Sequence, residues 1–373
     1  MDNNFKSNRE AYVDGSRTLT PNYYTSPEIF EREKEKIFRH FWLSLGHESG
    51  LAKGTYRLQQ VIGNNLIVLK DHTGVVRVFY NTCRHRNTLL CEVPEDGIGK
   101  LNQTIQCKYH QWTYLLNGEL LPPKIMKGVK KFKVEENGLI EVPTLIQAGF
   151  IFINLSKGLV EPFEEQYAPM ISKLEEWNGK NLKVVRSVTA RIRANYKVIA
   201  SNFGECGHCE MNHVLFNSFV DSSAAEHDLI EGPFLGGYMD ILNGESITMS
   251  RRMCALPLSS ADATGANRGW FYSGPNNLWH KFRDYWMNHN LFPISPTETE
   301  IVTEWLFNAE AIGRRDFDPM QAIEAWTITN NEDWELCRLN QLGMESGSDE
   351  AGWHAPNESM LIAYDNEIRR RIG

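Results

Sequence analysis

The chain has 373 residues, of which 42% are hydrophobic and 23% charged, as in an ordinary soluble globular protein. Its net charge of −8, without a long basic run, argues against nucleic-acid binding. The polar N-terminal residues lack a signal-peptide core and no apolar stretch is long enough to cross a bilayer, so we expect a cytoplasmic protein without membrane contact.

The first informative segment is rich in β-forming residues. Residues 56–82 predict strands and lead directly into Cys83 and His85, and a second short β-run leads into Cys107 and His110. The seven cysteines should not form a disulfide framework in a reducing compartment, so clustered cysteines need another role. Each half of this segment supplies one thiol and one imidazole.

The order of cysteines and histidines in the chain helps to distinguish a structural zinc site from an iron–sulfur cluster. Structural zinc sites usually place two cysteines together and two histidines together. A [2Fe–2S] cluster with two thiolates on one iron and two imidazoles on the other fits the observed spacing better. A zinc site, or residues without a shared role, remain the alternatives.

The segment resembles a Rieske iron–sulfur domain of antiparallel strands. The resemblance implies that Cys83 and Cys107 bind one iron and that His85 and His110 bind the other. The chain departs from the family pattern nearby, with Arg84 where proline is frequent, and with Asn87 and Gln111 where glycine is frequent. These departures affect the loops and leave the ligands in place.

The second informative segment, "SNFGECGHCEMNH", combines a dithiol spacing with two histidines. A thioredoxin-type dithiol at Cys206 and Cys209 requires a βαβ context with the first cysteine at a helix start. Here a helix predicted over residues 196–212 is already under way. We therefore interpret the two cysteines as small buried hydrophobic residues, with the dithiol site as the alternative.

The histidines of this segment predict a metal site. Asn202, Glu205 and His208 recur every three residues, on one side of the predicted helix. His213 follows five residues after His208, so the helix must end or bend near residues 210–212 for both imidazoles to reach one metal. Two imidazoles and a carboxylate, from Glu205 or from elsewhere, form the facial triad of non-haem Fe(II) oxygenases.

With these motifs the whole chain resembles the oxygenase component of Rieske non-haem iron oxygenases. Three further segments carry the resemblance, at residues 23–51, 148–155 and 324–346. It implies that His208, His213 and Asp333 bind a mononuclear iron, with Glu332 and Glu335 as local alternatives to Asp333. The alternative for both glutamates is a solvated helix face.

The resemblance gives Glu205 another role than ligation. It implies that Glu205 links His208 to His110 of a neighbouring subunit in a homotrimer, which would couple the two metal sites. Asn202 belongs to the same motif, and we group it with Glu205 as a candidate catalytic residue. Gly207 stands where the family often has an aromatic residue.

The predicted fold class is α+β, with an antiparallel Rieske domain and a helix-grip catalytic domain. We expect an N-terminal arm at residues 1–40 packed on the catalytic domain, the Rieske domain at 41–157 and the catalytic domain at 158–373. Within the last, we predict strands at residues 236–242, 245–250, 270–274 and 300–307, and helices near 196–212 and 318–342.

The expected activity is hydroxylation or oxidative N-demethylation with O2. No Gly-x-Gly-x-x-Gly segment is present to bind a nicotinamide or flavin, so electrons must come from a separate NAD(P)H-dependent reductase or a ferredoxin. Two alternatives belong to other classes: a non-catalytic Rieske electron carrier and a dithiol oxidoreductase.

The substrate prediction rests on a resemblance to the branch that contains choline and glycine betaine monooxygenases and related N-demethylases. A quaternary ammonium group binds to aromatic faces through cation–π attraction. Candidates near predicted strands are Trp270, Tyr272, Trp279, Trp286 and Trp305, although core packing is the simpler interpretation for any one of them. An aromatic or other apolar substrate is the alternative, because an aromatic pocket suits it too.

Overall fold

The structure is a computed structural model that describes residues 5–92 and 97–373. Residues 1–4 of the predicted arm and residues 93–96 of the predicted Rieske domain lie outside the described residues.

The strands of the described part of the chain are β1 (Lys6–Ser7), β2 (Trp42–His47), β3 (Thr55–Val61), β4 (Asn64–Lys70), β5 (Val76–Tyr80), β6 (Gly99–Lys100), β7 (Thr104–Gln106), β8 (Thr113–Leu115), β9 (Thr144–Gln147), β10 (Phe150–Asn154), β11 (Leu182–Ile192), β12 (Glu226–Leu229), β13 (Leu235–Asp240), β14 (Arg268–Ser273), β15 (Asn277–Lys281), β16 (Tyr285–Ser295) and β17 (Glu298–Asn308).

The α-helices of the same residues are α1 (Asn8–Ala11), α2 (Asn22–Thr25), α3 (Pro27–Glu33), α4 (Phe163–Gln166), α5 (Ala168–Glu176), α6 (Tyr196–Gly204), α7 (Cys209–Asn212), α8 (Val214–Asn217), α9 (Ser260–Thr264), α10 (Met320–Met344) and α11 (Ser359–Ile372). Among them, none combines the length and the hydropathy that crossing a membrane requires.

Three small antiparallel sheets form the part of the chain that carries the first cysteine–histidine pairs. Their strand orders are β5-β4-β3-β6, β2-β10-β9 and β7-β8. Residues on both faces of β4 are buried, because Ile67 and Leu69 pack on one side and Leu66 and Val68 on the other. The loops that begin near Cys83 and at Cys107 therefore extend from a well-packed sheet.

A single antiparallel sheet dominates the second half of the chain. It has the order β1-β12-β13-β14-β15-β16-β17-β11. The helix α10 packs against it through Ala322, Ile323 and Trp326, which share a buried cluster with residues of β16 and β17. Trp326 also donates a hydrogen bond to the buried hydroxyl of Tyr285 at 2.7 Å. This long helix packed on a large antiparallel sheet confirms the predicted α+β, helix-grip architecture.

One predicted strand is wrong. Residues 245–250 form turns rather than a strand. The Thr248 hydroxyl donates locally to the carbonyl of Arg252 at 2.7 Å, and Ser246 donates to Asp284, which is distant in the chain, at 2.6 Å. Such side-chain bonds compete with a β-ladder for the backbone conformation.

The N-terminal segment is attached to the elements that carry the second histidine pair. The strand β1 pairs with β12. Glu33, at the end of α3, lies 2.6 Å from the ammonium of Lys197 in α6, and both side chains are fully buried. The Lys197 ammonium also lies 3.0 Å from the side-chain oxygen of Asn195. A buried charge is stable only while its partner is present.

We predict that Lys197→Met lowers the free energy of unfolding by about 3–5 kcal/mol, because it leaves the Glu33 carboxyl buried without a counter-charge. Urea unfolding monitored by tryptophan fluorescence measures the loss. The double variant Lys197→Met with Glu33→Met should recover part of it. Lys133→Met, which breaks an exposed pair with Glu136, is the control and should cost less than about 1 kcal/mol. Equal losses of stability in Lys197→Met and Lys133→Met would show that the buried pair stabilises the protein no more than the exposed pair does.

Candidate metal centres

The two loops that carry Cys83 and Cys107 share one backbone pattern. The N–H of Asn87 donates to the carbonyl of Cys83 at 3.0 Å, and the N–H of Gln111 donates to the carbonyl of Cys107 at 3.0 Å. Each cysteine N–H in turn donates to the residue five positions later, at 2.9 Å for Cys83 and 2.8 Å for Cys107. The two turns are therefore equivalent in their backbone hydrogen bonds.

The four predicted cluster ligands lie together. Cys83 and Cys107 are buried free thiols, and the rings of His85 and His110 are 4.5 Å apart. The Nδ1 atoms of both histidines are buried and make no hydrogen bond with any described residue. Orphaned buried nitrogens beside two free thiols are the donor set that a mixed-ligand [2Fe–2S] cluster requires, so the residues fit this group.

Hydrogen bonds favour the thiolate form of Cys107, whereas burial raises the pKa of the Cys83 thiol. The Tyr114 hydroxyl lies 3.3 Å from the Cys83 sulfur and accepts a hydrogen bond from the N–H of Arg84 at 3.0 Å. Burial opposes ionisation of Cys107, but the backbone N–H groups of Tyr109 and His110 outweigh it and lower the pKa of this thiol. A thiolate is the form that binds iron.

The departures from glycine at two loop positions carry a conformational cost. Asn87 has φ of 56° and Gln111 has φ of 60°, in the left-handed region that glycine occupies without strain. Asparagine visits this region more readily than glutamine does. The hydrogen bonds of both turns hold these residues in the conformation that the family's glycines would adopt freely.

The helix that leads to the second histidine pair ends earlier than predicted. Helix α6 ends at Gly204, and Glu205 is extended, with φ of −139° and ψ of 154°. The prediction that Asn202, Glu205 and His208 share one face of a continuous helix is therefore wrong. The break at Glu205 is an additional one, because helix α7 also ends at Asn212, as predicted, with His213 at φ of −114° and ψ of 71°. Together the two breaks let both histidines approach one point.

The predicted iron ligands converge. Asp333 Oδ1 lies 2.8 Å from Nε2 of His213 and 3.3 Å from Nε2 of His208. Asp333 belongs to α10, whereas both histidines lie between α6 and α8, so the site joins two separate elements. Two imidazole nitrogens and one carboxylate oxygen around one point are the donor set of a facial triad.

Two further carboxylates hold the outer nitrogens of the same histidines. Nδ1 of His208 donates to Glu205 at 2.5 Å, and Nδ1 of His213 donates to Glu332 at 2.8 Å. Glu332 thus contacts the far side of an imidazole rather than the convergence point, while Glu335 forms an exposed ion pair with Arg338. Carboxylates on the outer nitrogen fix the tautomer and orientation of metal-binding histidines.

The charges at the site favour a cation. Burial opposes protonation of His208, but hydrogen bonds to Asp333 and Glu205 outweigh it and raise the pKa of His208 to about 9. Burial would raise the pKa of Asp333, yet hydrogen bonds from His208 and His213 lower it. Protons on the imidazoles stabilise this carboxylate in the metal-free protein, and a metal ion would replace them.

Cys206 and Cys209 are joined in a disulfide. The expectation of two separate buried thiols is therefore wrong, because only Cys209 is fully buried and the turn brings the sulfurs together. The Cys209 sulfur also lies near the histidine nitrogens, at 4.0 Å from Nε2 of His208. Since the disulfide occupies this sulfur, Asp333 is the better third donor.

The turn explains why Gly207 is small. A Cβ on Gly207 would lie 2.9 Å from the side-chain nitrogen of Asn357 and 3.0 Å from Glu205. A larger residue at this position would displace the contact that holds Glu205 against His208. Asn202, the other motif residue, places its side-chain nitrogen 3.3 Å from Nε2 of His208.

A cavity opens beside the convergence point. It lies between the sheet and helices α6, α10 and α11, and its aromatic lining includes Phe203, Tyr238, Phe271, Trp326, Trp334 and Tyr364. Among the described residues that line it, none is a lysine or an arginine. The cavity therefore combines aromatic faces with the carboxylates of the metal site, and apart from the two histidines predicted to bind iron its described lining carries no cationic side chain.

None of the five predicted substrate aromatics lines this cavity. The register pairs Trp270 with Lys281 and Tyr272 with Trp279, and these residues lie on the opposite face of the sheet with Trp286. Side chains alternate between faces along a strand, so Phe271, between Trp270 and Tyr272, faces the cavity.

Trp305 lies on the other face of the sheet from the remaining four aromatic residues. It pairs with Met287 and is buried beneath α10, in the cluster that contains Trp326. Core packing, the simpler interpretation, therefore describes all five aromatic residues.

Two cavity residues could not be recognised from their own neighbourhood in the sequence. His280 in β15 and His289 in β16 are buried, with ring centroids 5.1 Å apart. Burial lowers the pKa of His289 to about 4 and that of His280 well below its usual value, so both are neutral. The strand alternation that places Phe271 on the cavity face was the available signal.

Comparison with known proteins identifies the family. Residues 180–373 match the model of the ring hydroxylating alpha subunit (catalytic domain), and residues 41–133 match that of the Rieske [2Fe-2S] domain. The first match covers more than half of the chain. The chain belongs to the ring-hydroxylating alpha subunit family.

Relatives of this ring-hydroxylating alpha subunit include two monooxygenase subunits. The glycine betaine monooxygenase oxygenase subunit of Pseudomonas aeruginosa is 28% identical over 372 residues, covering 91% of this chain and 85% of that protein. The carnitine monooxygenase oxygenase subunit of Acinetobacter baumannii is 34% identical over 215 residues, or 57% of this chain and 56% of that protein.

A solved structure agrees over the full length. A quaternary ammonium Rieske monooxygenase superposes with a TM-score of 0.80 at 25% identity, covering 98% of this chain and 97% of that one. The predicted family, the enzyme class of Rieske non-haem iron oxygenase, and the cofactors, a [2Fe–2S] cluster and a mononuclear iron, are confirmed for this alpha subunit.

We predict that Glu332→Gln weakens iron binding without affecting the [2Fe–2S] cluster, because the amide holds Nδ1 of His213 less well than a carboxylate does. Since the Glu332 side chain is 37% exposed, the dissociation constant should rise only about ten-fold. Competition with a chelator measures it. Glu335→Gln on the same helix is the control and should change nothing. Unaltered affinity in Glu332→Gln would exclude the orienting role.

Proposed function

We propose that the protein is the oxygenase component of a Rieske monooxygenase that hydroxylates or N-demethylates a small quaternary ammonium compound such as a betaine. The observation that carries this proposal is the cavity, which has aromatic walls and two carboxylates at its metal end, and whose described lining residues include no lysine or arginine.

We propose Cys83 and Cys107 as ligands of one cluster iron, and His85 and His110 as ligands of the other. We propose His208, His213 and Asp333 as ligands of the mononuclear iron. When bound, the cluster would serve as the one-electron carrier and the mononuclear iron as the site of O2 activation. The free thiols and orphaned imidazole nitrogens at the first site, and the converging donor atoms at the second, support these roles.

The polypeptide supplies orientation and charge. Glu205 and Glu332 hold the outer nitrogens of His208 and His213, so that Nε2 of each faces Asp333, where the iron would be held. The side-chain nitrogen of Asn202 lies 3.3 Å from Nε2 of His208, so this amide could hydrogen-bond a polar group bound beside the iron site. The aromatic walls exclude water from the reacting carbon.

A quaternary ammonium fits the cavity for an electrostatic reason. Such a cation cannot lose a proton and cannot be satisfied by hydrogen bonds, so aromatic faces and nearby carboxylates are its natural partners. The relatives named above act on glycine betaine and on carnitine by their names. A substrate carboxylate would here meet neutral donors such as His280 and His289 rather than an arginine.

The electron supply and assembly belong to the same proposal. Electrons come from a separate NAD(P)H-dependent reductase or from a ferredoxin, in keeping with relatives that are named as oxygenase subunits. We propose a homotrimer in which Glu205 of one subunit contacts His110 of the next. Exposed apolar side chains beside each site, Tyr109 at 59% and Met211 at 81% exposed, would be covered by such a contact.

We further propose the boundaries 1–40 for the arm, 41–157 for the Rieske domain and 158–373 for the catalytic domain. The packing of β1 on β12 and of Glu33 on Lys197 supports an arm that lies on the catalytic part.

Metal analysis separates this proposal from a non-catalytic electron carrier. The fully loaded protein should hold about three irons per chain, whereas a carrier would hold about two. We expect Cys83→Ala to lose the cluster's visible absorption and keep the mononuclear iron. We expect His208→Ala to do the reverse. Cys91→Ala, at a buried cysteine outside both sites, is the control. A cluster that persists in Cys83→Ala would overturn the ligand assignment.

Substrate-dependent O2 consumption with a surrogate reductase tests the substrate class. We expect stoichiometric product with betaines, and lower activity with choline-like amines that lack a carboxylate. Phe271→Ala should raise KM for a betaine by about ten-fold, through loss of one aromatic face. Tyr272→Phe, on the opposite face of the sheet, should leave KM unchanged. Product formation with aromatic acids alone would support the alternative substrate class and exclude this one.

A further inference from the structure

An exposed basic segment lies beside the [2Fe–2S] site. Residues 121–133, which we call the lysine loop, contain five lysines at positions 124, 127, 130, 131 and 133, all of them exposed. The chain as a whole carries a net charge of −8. Of the five, only Lys133 forms an ion pair with a described residue, and its partner is Glu136. Four positive charges therefore face solvent together.

The lysine loop also exposes apolar side chains. Ile125 is 56% exposed and Val129 is 49% exposed. Apolar residues within a ring of like charges are typical of a docking surface for a protein of opposite charge, because apolar contact supplies affinity and the charges supply orientation and association rate.

Aromatic packing connects this surface with the cluster. Phe132 of the lysine loop packs edge-on against Trp112, with ring centroids 5.4 Å apart. Trp112 stacks on His85 at 4.9 Å with an interplanar angle of 13°. His85 is one of the proposed iron ligands. Two ring contacts thus lead from the basic surface to the ligand sphere.

We propose that the lysine loop is the docking site of an acidic electron-donor protein, which delivers electrons to the cluster over Phe132, Trp112 and His85. This inference rests on the proposed function and names the partner surface of the same site. In each event one electron leaves the reduced donor, which is thereby oxidised, and reduces one cluster iron from the ferric to the ferrous state.

An acidic protein fits the loop better than a membrane or a nucleic acid does. The remainder of the chain is strongly acidic, so a broad anionic surface would be repelled around the loop. A small protein can contact the loop alone. The position of the loop above a proposed electron-accepting centre supports the same choice.

The test uses the full-length protein with both metals and an acidic plant-type [2Fe–2S] ferredoxin held reduced. In the test variant Lys124, Lys127, Lys130 and Lys131 are changed to Gln. In the control variant four other exposed lysines are changed to Gln, which removes the same charge: Lys36, Lys157, Lys180 and Lys183. Stopped-flow absorption measures cluster reduction, and fluorescence anisotropy of labelled ferredoxin measures binding.

In the test variant the second-order rate constant should fall about ten-fold or more at low salt, and ferredoxin binding should weaken in parallel. The difference from the wild type should shrink to within about two-fold at 0.5 M salt, where charges are screened. The control variant should change less than about two-fold at any salt concentration. Reduction by methyl viologen radical, a small cation that needs no docking site, should stay fast in all three proteins.

Several results would overturn the inference. Equal slowing in both variants would assign the effect to net charge. Unchanged ferredoxin kinetics in the test variant would overturn the inference. If that variant at the same time lost binding to phosphatidylserine vesicles, the lysine loop would be a membrane contact instead. An intact cluster that methyl viologen reduces and ferredoxin reduces independently of these lysines would overturn this inference and leave the proposed function standing. A wild-type protein without a Rieske spectrum would overturn both.

Phe132→Leu isolates the aromatic path from the charges. We expect it to slow cluster reduction by bound ferredoxin several-fold while leaving ferredoxin binding and the cluster's visible spectrum unchanged. A reduction rate equal to that of the wild type would remove Phe132 from the path.

Discussion

A partly buried carboxylate between two imidazoles determines how the second half of the chain is arranged. Asp333 lies within 3.3 Å of Nε2 of both His208 and His213, although it is more than a hundred residues away along the chain. Such a group is stable only with a proton-rich or metal partner. The fold must therefore hold α10 and the histidine segment in a fixed relation, whatever occupies the site.

Two independent attachments provide that relation. Trp326, two turns before Asp333, is fixed to the sheet by its hydrogen bond to Tyr285. On the other side, the buried pair of Lys197 and Glu33 ties α6, and so the histidine segment, to the N-terminal helices. Destabilising either attachment moves one half of the donor set relative to the other, so stability and metal binding are coupled here.

The residue pattern pointed to the proposed ligands, whose donor atoms the structure brings together, but not to the residues that line the cavity, for a physical reason. Ligand motifs are local: Cys83 with His85, and His208 with His213, are close in the chain and their chemistry is specific. Cavity walls depend on which way each strand faces, and a shift of one residue exchanges the two faces. Phe271 faces the cavity while its neighbours Trp270 and Tyr272 do not, a distinction that composition could not supply.

Some of the positions at which helices and strands are interrupted could not be predicted from the sequence either. The residues Asn202, Glu205 and His208 keep a helical spacing, yet the helix ends at Gly204 and the contact between Glu205 and His208 is made by a turn. The disulfide between Cys206 and Cys209 belongs to the same turn. At residues 245–250, the hydrogen bonds of Ser246 to Asp284 and of Thr248 to Arg252 accompany turns in place of the predicted strand. In each case an interaction that the residue pattern does not encode accompanies the change of backbone.

The neutral histidines of the cavity wall give the site a constant charge. The pKa of His289 is lowered to about 4 and that of His227 to about 4, both because of burial, and that of His280 lies well below its usual value for the same reason. None of the three gains a proton near neutral pH. Within the described cavity lining, the histidines with raised pKa are the proposed iron ligands His208 and His213, and metal binding excludes their protons. The attraction of the cavity for a cation would then be set by its carboxylates and aromatic faces, and would not vary with pH across the physiological range.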